Sequence, residues 1–397
     1  MHRIVTNDAA NFVNVIEALK NNKTYSYHQT VSSSCQNRMI VEGEEKVNFI
    51  SNNYLGFSTH PKVLEAVKQA IDTYGIGIGG SPLMCGTTEL HLELIEKIAN
   101  VYEQESAVLF ASGYQALLGS IQASVGPNDI VLLDQLVHRS IVDGVTLAGC
   151  KKRMWIHNDV EDLEEVLQAV NDKYERKLII VDSVYSMDGD IAPLPEIDGL
   201  RKKYNAMVLV DEAHSLGVIG EKGYGILSHF DMPDGADLVS GTFSKFAGAI
   251  GGFAAGPKTF IEYLKHVASP YIFSASLSPL IVAGVSRAFD LLDEEPEWVE
   301  RIRDNILYFI DGCKNIGLDI GPTETAVVPL MIRDNDKTQA FNKRIFEMGV
   351  YGSPVVYPAV APSESRIRLG VMATHTKEDL DFTLDVFKTA AKEIGLV

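Results

Sequence analysis

The sequence predicts an α/β fold: a mostly parallel central sheet with helices on both faces, followed by a smaller C-terminal α/β unit. Three observations predict it. Short apolar runs of buried-strand length recur at residues 107–110, 130–133, 178–181, 207–210 and 238–239. Helical patterns separate several of them, such as 160–170, where Asn158 and Glu161 stand at capping-box spacing. Polar residues then follow the runs directly: Ser112-Gly113 after the first, Asp182-Ser183 after the third, Asp211 after the fourth and Thr242 after the fifth. Alternation of this kind makes βαβ units with parallel strands buried on both faces. Such sheets bind ligands beyond the carboxyl ends of their strands.

Taken in order, residues 1–58 are expected to form an N-terminal arm, 59–290 a large domain and 291–397 a small one. In the arm, 11–19 has a short helical pattern, and the runs 39–41 and 47–50 flank Gly43 as a hairpin would. A polar turn follows, Asn52-Asn53-Tyr54-Leu55-Gly56. Pro61 opens a helix with an apolar stripe at Val63, Leu64, Val67, Ile71 and Tyr74. Gly75 to Gly80 is a glycine-rich loop, and 90–101 reads as helix again. Beyond the alternating block, Asp293-Glu294-Glu295-Pro296-Glu297 marks the domain boundary. The small domain is expected to hold strands near 327–332 and 367–369. Its closing helix starts at Thr376, with Asp379 in the capping position and Leu380, Leu384 and Phe387 turned inward.

Composition removes several function classes. A chain of 397 residues buries roughly three-quarters of its unfolded surface, so its core needs no disulfide staples. A net charge of −18 argues against nucleic acid as a partner, because phosphate backbones demand clustered cations. The four cysteines, Cys35, Cys85, Cys150 and Cys313, form no Cys-x-x-Cys pair, which favours reduced thiols over a zinc site. No metal site is expected. There is no signal-peptide pattern and no apolar run of about 18 residues, so the expectation is a cytoplasmic protein without a membrane span.

The chemistry centres on Gly241-Thr242-Phe243-Ser244-Lys245, followed by Gly248, Gly251 and Gly252. A free lysine titrates at roughly 10.4 and is a poor base at neutral pH. A carbonyl cofactor removes that difficulty by bonding the amine covalently. Thr242 and Ser244 flank Lys245 with hydroxyls suited to a phosphate. On this segment alone, a buried lysine in a glycine-rich loop is an equally good reading. A second motif, Asp211-Glu212-Ala213-His214, also reads as a helicase box. A helicase needs a Gly-x-x-x-x-Gly-Lys-Ser/Thr phosphate loop, and this chain has no Gly-Lys pair. Another reading sets Asp211 against a cationic ring nitrogen, with His214 near the ring's phenolic oxygen; a strand-end aspartate that caps the next turn is the plainer alternative.

Together these motifs resemble the α-oxoamine synthase family, pyridoxal-phosphate enzymes of fold type I. Ser112-Gly113-Tyr114, His138-Arg139-Ser140, Val184-Tyr185-Ser186-Met187-Asp188-Gly189-Asp190 and Pro270-Tyr271-Ile272-Phe273-Ser274-Ala275-Ser276 extend the match from about Asn52 to His375. The resemblance implies the cofactor pyridoxal 5′-phosphate, with Lys245 bonded to it and Asp211 on its pyridinium. It implies that His138 stacks on the ring and His214 contacts the phenolic oxygen. Ser112, Gly113, Tyr114, Thr242 and Ser244 would surround the phosphate, and Ser183 would join the cofactor-binding set. Family members are homodimers with shared active sites, so Ser274 and Ser276 are expected to reach the partner's phosphate. Arg368, helped by Asn53, would grip the carboxylate of an amino acid substrate by bidentate geometry.

The implied reaction joins an amino acid to an acyl thioester, carried on CoA or a carrier protein, with loss of CO₂. Within the family the wording leans toward the soluble bacterial serine palmitoyltransferase, which implies L-serine, a long-chain acyl-CoA and sphingolipid biosynthesis. The alternatives use glycine, alanine or another acyl donor, as 2-amino-3-ketobutyrate CoA ligase, 8-amino-7-oxononanoate synthase and signalling or natural-product amino ketone synthases do. Two departures bear on that choice: Arg139 follows the stacking histidine where relatives have a small residue, and Pro82 stands where many have an arginine. Transamination or aldol cleavage on the same fold stays open, since fold does not dictate function.

Overall fold

The structure, a computed structural model, describes residues 6–21, 25–174 and 176–397. The arm opens with helix α1 (Asn7–Asn21) and the antiparallel hairpin β1 (Arg38–Val41) and β2 (Glu44–Asn48), turning at Gly43. Helices α2 (Pro61–Tyr74) and α3 (Glu89–Val101) follow. On α2 the apolar stripe is rotated from its expected position. Val63 and Val67 face the helix Pro279–Glu294, where a Cβ on Gly284 would lie 2.9 Å from the Val67 side chain. Leu64 and Ile71 are left exposed on this chain.

The central sheet has seven strands: β3 (Ser106–Phe110), β4 (Ile130–Asp134), β5 (Lys151–Trp155), β6 (Lys177–Asp182), β7 (Met207–Asp211), β8 (Leu238–Thr242) and β9 (Gly252–Gly256). Their order is β3-β9-β8-β7-β6-β4-β5. β5, β4, β6, β7 and β8 run parallel, while β9 is antiparallel to both β3 and β8. The five expected strands are present. The two unexpected ones have physical reasons for being inconspicuous. β5 is Lys-Lys-Arg-Met-Trp on an edge, with charges where a central strand would be apolar. β9 is Gly-Phe-Ala-Ala-Gly, with little side chain to read.

Three helices matter for the site. α4 (Gly113–Ser124) follows β3, α5 (Arg139–Ala148) follows β4, and α6 (Val160–Val170) follows β5. The cap of α6 corrects the sequence expectation by one position. Asp159, not Asn158, accepts from the Asp162 N–H at 3.0 Å. Asn158 instead takes a left-handed φ of 53° and sends its amide to Asp190.

The acidic stretch expected as a boundary lies at the junction of the helices Pro279–Glu294 and Glu297–Ile316. Beyond it β10 (Val327–Met331), β11 (Val350–Tyr351), β12 (Ser353–Val355) and β13 (Arg366–Gly370) complete the strands. β10, β13 and β12 form one antiparallel sheet. β11 pairs with β2 of the arm, so the hairpin is built into the C-terminal unit rather than standing apart from it. One buried cluster runs from Val47 through Phe253 to Ala391, welding the regions together. The closing helix Lys377–Glu393 has the expected Thr376/Asp379 capping box and buries Leu380 and Phe387, with Leu384 half-buried. Among the described residues, no helix is long and apolar enough to cross a membrane, and no cluster of His, Cys, Asp or Glu is arranged for a metal ion.

Candidate active site

The parallel strands deliver their last residues to one edge, as the alternation predicted. A cavity of about 310 Å³ opens there, lined by Ser112, Gly113, Tyr114, His138, Asp211, Thr242, Ser244 and Lys245. Eight candidates drawn from four separate stretches of sequence thus share one space.

At one end of the cavity the first turn of α4 presents backbone N–H groups. Ser112 caps it, accepting from the Gln115 N–H at 3.2 Å. The Thr242 and Ser244 hydroxyls lie 2.9 Å apart beside it. Space here is reserved for backbone: a Cβ on Gly113 would fall 2.6 Å from that of Thr242. A Cβ on Gly252 would fall 2.5 Å from the Gly113 Cα. A helix N-terminus with convergent hydroxyls and no obstructing side chain is suited to a phosphate.

His138 occupies the cap position of α5. Its Nδ1 lies 2.6 Å from the Ser140 hydroxyl, and its backbone N–H reaches Asp182 at 3.3 Å. Burial lowers its pKa, favouring the neutral imidazole that stacking on a flat ring requires. Ala213 also lines the cavity; it lies within the Asp-Glu-Ala-His motif but received no role from the sequence.

Asp211 and Asp182 end neighbouring strands in the same register. Both are buried and both carboxyls are pushed upward. Burial is the first cause, and for Asp182 the Asp211 charge adds to it. A cationic nitrogen against Asp211 would relieve that strain, so the residues present fit a pyridinium ring. Lys245 is half-buried, and burial pulls its amine down to about 8 against the pull of Asp211. Arg368 adds to the lowering.

Arg368 lies on β13 with its Nε donating to the Ser186 carbonyl at 2.6 Å. Among the described residues no carboxylate pairs with it. Two positions earlier on the same strand, Arg366 is held by Asp188 at 2.6 Å and Glu364 at 3.1 Å. Of the two arginines on this strand, Arg368 is thus the one without a carboxylate partner among the described residues.

Several expected residues are placed differently. His214 has one ring nitrogen engaged away from the expected ring oxygen: its Nδ1 is 2.6 Å from the hydroxyl of Tyr54, a fully buried partner that the sequence reading left without a role. Burial, with Lys245, Arg368 and His138, holds His214 far below its ordinary pKa and therefore neutral. The Ser183 hydroxyl faces inward, 2.7 Å from the Asp211 carbonyl and from Ser215, and ties β6 to β7 instead of reaching the cavity. Asn53 has its side-chain amide engaged elsewhere, donating to the Cys35 carbonyl across the β1–β2 hairpin at 3.2 Å and to the Ser58 hydroxyl at 2.8 Å. Ser276 donates to the Gly86 carbonyl at 2.6 Å, and Ser274 accepts from Gln115 at 3.4 Å. Both serines lie outside this chain's cavity.

The two departures are also located. Arg139 is 77% exposed and paired with Asp143 at 2.8 Å, on its own helix. Asp143 accepts from the Tyr114 hydroxyl as well. Pro82 opens the wide turn Pro82–Gly86 beyond the glycine-rich loop.

Comparison with known proteins agrees with this geometry. The chain matches the family model for class I and II aminotransferases over residues 44–387. It is 42% identical over 390 residues to an 8-amino-7-oxononanoate synthase of Thermosipho melanesiensis, covering 98% of this chain and 100% of that one. It is 40% identical over 384 residues to a serine palmitoyltransferase of Sphingobacterium spiritivorum, covering 96% of each. Among solved structures it superposes with a TM-score of 0.95 and 30% identity on a serine palmitoyltransferase from S. paucimobilis with a PLP–myriocin aldimine bound, covering 100% of both chains.

Proposed function

The chain belongs to the pyridoxal-phosphate-dependent α-oxoamine synthases, and we propose that it condenses a small amino acid with an acyl thioester, losing CO₂, to give an α-amino ketone. The observation that carries this reading is Arg368: a half-buried guanidinium with no carboxylate partner among the described residues, close enough to Lys245 to shift its titration. A free cation beside a depressed lysine amine suits a substrate bearing a carboxylate and an acidic α-proton.

Each residue's part follows from its place. Arg368 binds the substrate carboxylate and so sets which α-bond stands perpendicular to the cofactor plane. The cofactor, when bound, supplies an electron sink for the α-carbon. Lys245, with its amine near 8, takes the α-proton at Nζ and is the local acid that returns one. Asp211 would hold the ring nitrogen in its protonated form, and His138 would cover one face of the ring. The α-carbon bonds to the acyl carbonyl carbon, the thiol leaves, and the carboxylate departs as CO₂. A homodimer suits this arrangement: Ile76, Met84 and Phe273, 87%, 83% and 84% exposed, support a second copy covering the glycine-rich loop and the Ser274–Ser276 segment.

For the substrates we favour the 8-amino-7-oxononanoate type over serine palmitoyltransferase, because relatives near 40% identity mostly carry the former name. That product sets an amine beside a ketone in a chain ending in a carboxylate. Its amino acid is then alanine, and its donor an acyl group with a distal carboxyl. The S. spiritivorum relative and the S. paucimobilis structure favour the rival pair, L-serine with a long-chain acyl-CoA. Thiol release measured with alanine, serine and glycine against plain and ω-carboxyl acyl-CoAs of increasing length separates them. Best turnover is expected with alanine and an ω-carboxyl donor. Best turnover with serine and palmitoyl-CoA would reverse the assignment.

A further inference from the structure

Outside the cavity, a second charged cluster occupies the same edge of the sheet. His157, just beyond β5, lies between two carboxylates. Its Nδ1 is 2.9 Å from Asp134 at the end of β4, and its Nε2 is 2.8 Å from Asp190. Asn158 reinforces both contacts, its N–H reaching Asp134 at 3.0 Å and its amide reaching Asp190 at 2.8 Å. Asp190 is held through Oδ2 alone; its buried Oδ1 has no partner among the described residues. The Tyr185 ring packs edge-on against the imidazole at 4.4 Å.

Asp190 closes a tight turn. Val184 bridges Ile191, and Tyr185 N–H donates to the Asp190 carbonyl at 3.1 Å. The far side of the turn meets the C-terminal unit: Ser186 receives Arg368, Asp188 receives Arg366, and the Gly189 carbonyl receives the Thr325 hydroxyl at 2.8 Å. At that point a side chain on Gly189 would strike the Val327 carbonyl, so the turn and β10 are in direct contact. The turn therefore sets the position of Arg368, and on the strand-end side its carboxylate is held by His157 and Asn158.

We propose that His157 is a positioning residue of the active site, its imidazolium holding the 184–191 turn, and through Ser186 the Arg368 guanidinium, in register with the strand ends that carry His138 and Asp211. The inference rests on the reading of Arg368 as the carboxylate anchor. Charge supports it independently. Against the cost of burial, Asp134 and Asp190 raise the His157 pKa to about 10, so it stays cationic throughout the neutral range. The groups facing it are Asp134, Asp190 and the Tyr185 ring, with Asp182 behind Asp134.

The test uses cofactor-loaded wild type, His157→Gln, Asp190→Asn, Arg368→Ala and the double variant His157→Gln/Arg368→Ala. Dissociation constants for alanine, serine and glycine are read from the cofactor's visible spectrum between pH 7 and 10. His157→Gln is expected to weaken the preferred amino acid roughly tenfold, the scale of losing a charged hydrogen bond, while retaining cofactor. The double variant should bind no worse than Arg368→Ala alone. Asp190→Asn should move the onset of alkaline weakening down by about one pH unit, because one of two stabilising charges is gone. A purely structural role would lower cofactor retention along with amino acid affinity and leave that onset unmoved. Wild-type affinity in folded His157→Gln, or additive losses in the double variant, would overturn the inference. If His157→Gln does not fold, an unmoved onset in Asp190→Asn overturns it instead. Unchanged affinity in Arg368→Ala alone would remove the carboxylate-anchor reading, and this inference with it.

Discussion

Two pairs of buried aspartates stand along one edge of the same sheet, and they are treated in opposite ways. Around Asp134 and Asp190 the chain supplies its own cation: His157 sits between them and is driven up to about 10. Around Asp182 and Asp211 no cation is bonded between the two: burial pushes both carboxyls upward, and the nearby Lys245 only partly offsets it. The first pair is answered by its own histidine, whereas the second stays raised by burial, and on the proposed reading a cationic ring nitrogen would answer it. Arg366 and Arg368 repeat the pattern in the opposite sign, one paired and one without a carboxylate among the described residues. Buried charge that is satisfied within the chain organises structure; buried charge left unsatisfied marks where a ligand belongs.

The severest way to break this contrast is at the incomplete pair. Lys245→Ala is expected to abolish turnover and the visible absorbance of the bound cofactor, both read on purified protein. Wild type that stays colourless after saturation with pyridoxal phosphate would remove the cofactor assignment altogether. Asp211→Asn should still bind cofactor but lose about 10² or more in rate, the scale of removing a positioned electrostatic partner. Exchange of the substrate α-proton with solvent isolates that step, and a wild-type exchange rate would show that Asp211 is not the ring's counterion.

The complete pair should behave as a stability device. Its folded pKa is raised above the ordinary histidine value of about 6.5, so its contribution is fully present below that pH and fades as pH rises through about 10. Urea unfolding of wild type and His157→Gln should differ on the order of 2 kcal/mol near pH 6, after discounting for partial solvent access. The gap should narrow steadily toward pH 10. A gap independent of pH would mean that packing, not charge, accounts for it.

Much of the site was legible because the signals were local. Lys245, Asp211 and His138 each follow a strand or open a helix within a few residues, and a strand end in a parallel sheet has only one place to point. The roles that moved were those requiring a partner far away in sequence. Ser183 turns to the Asp211 carbonyl twenty-eight residues on, and His214 to Tyr54, 160 residues back. Asn53 looked free to assist Arg368, but its amide closes on Cys35 and Ser58. β5 and β9 escaped notice because an edge strand and a glycine-bounded strand carry little of the hydrophobic pattern by which strands are read.

By itself the sequence determined the alternation of strands and helices, and with it the edge where chemistry gathers. It also determined the chemical types delivered there: an amine, an acid, an imidazole and paired hydroxyls. Only the tertiary structure decided which charges are answered within the chain. Whether Arg368 meets a carboxylate, or His157 meets two, depends on contacts between segments up to 182 residues apart, such as Arg368 on Ser186. Backbone periodicity reports a residue's own neighbourhood, whereas the state of a buried charge is set by whatever the fold brings within a few ångströms of it.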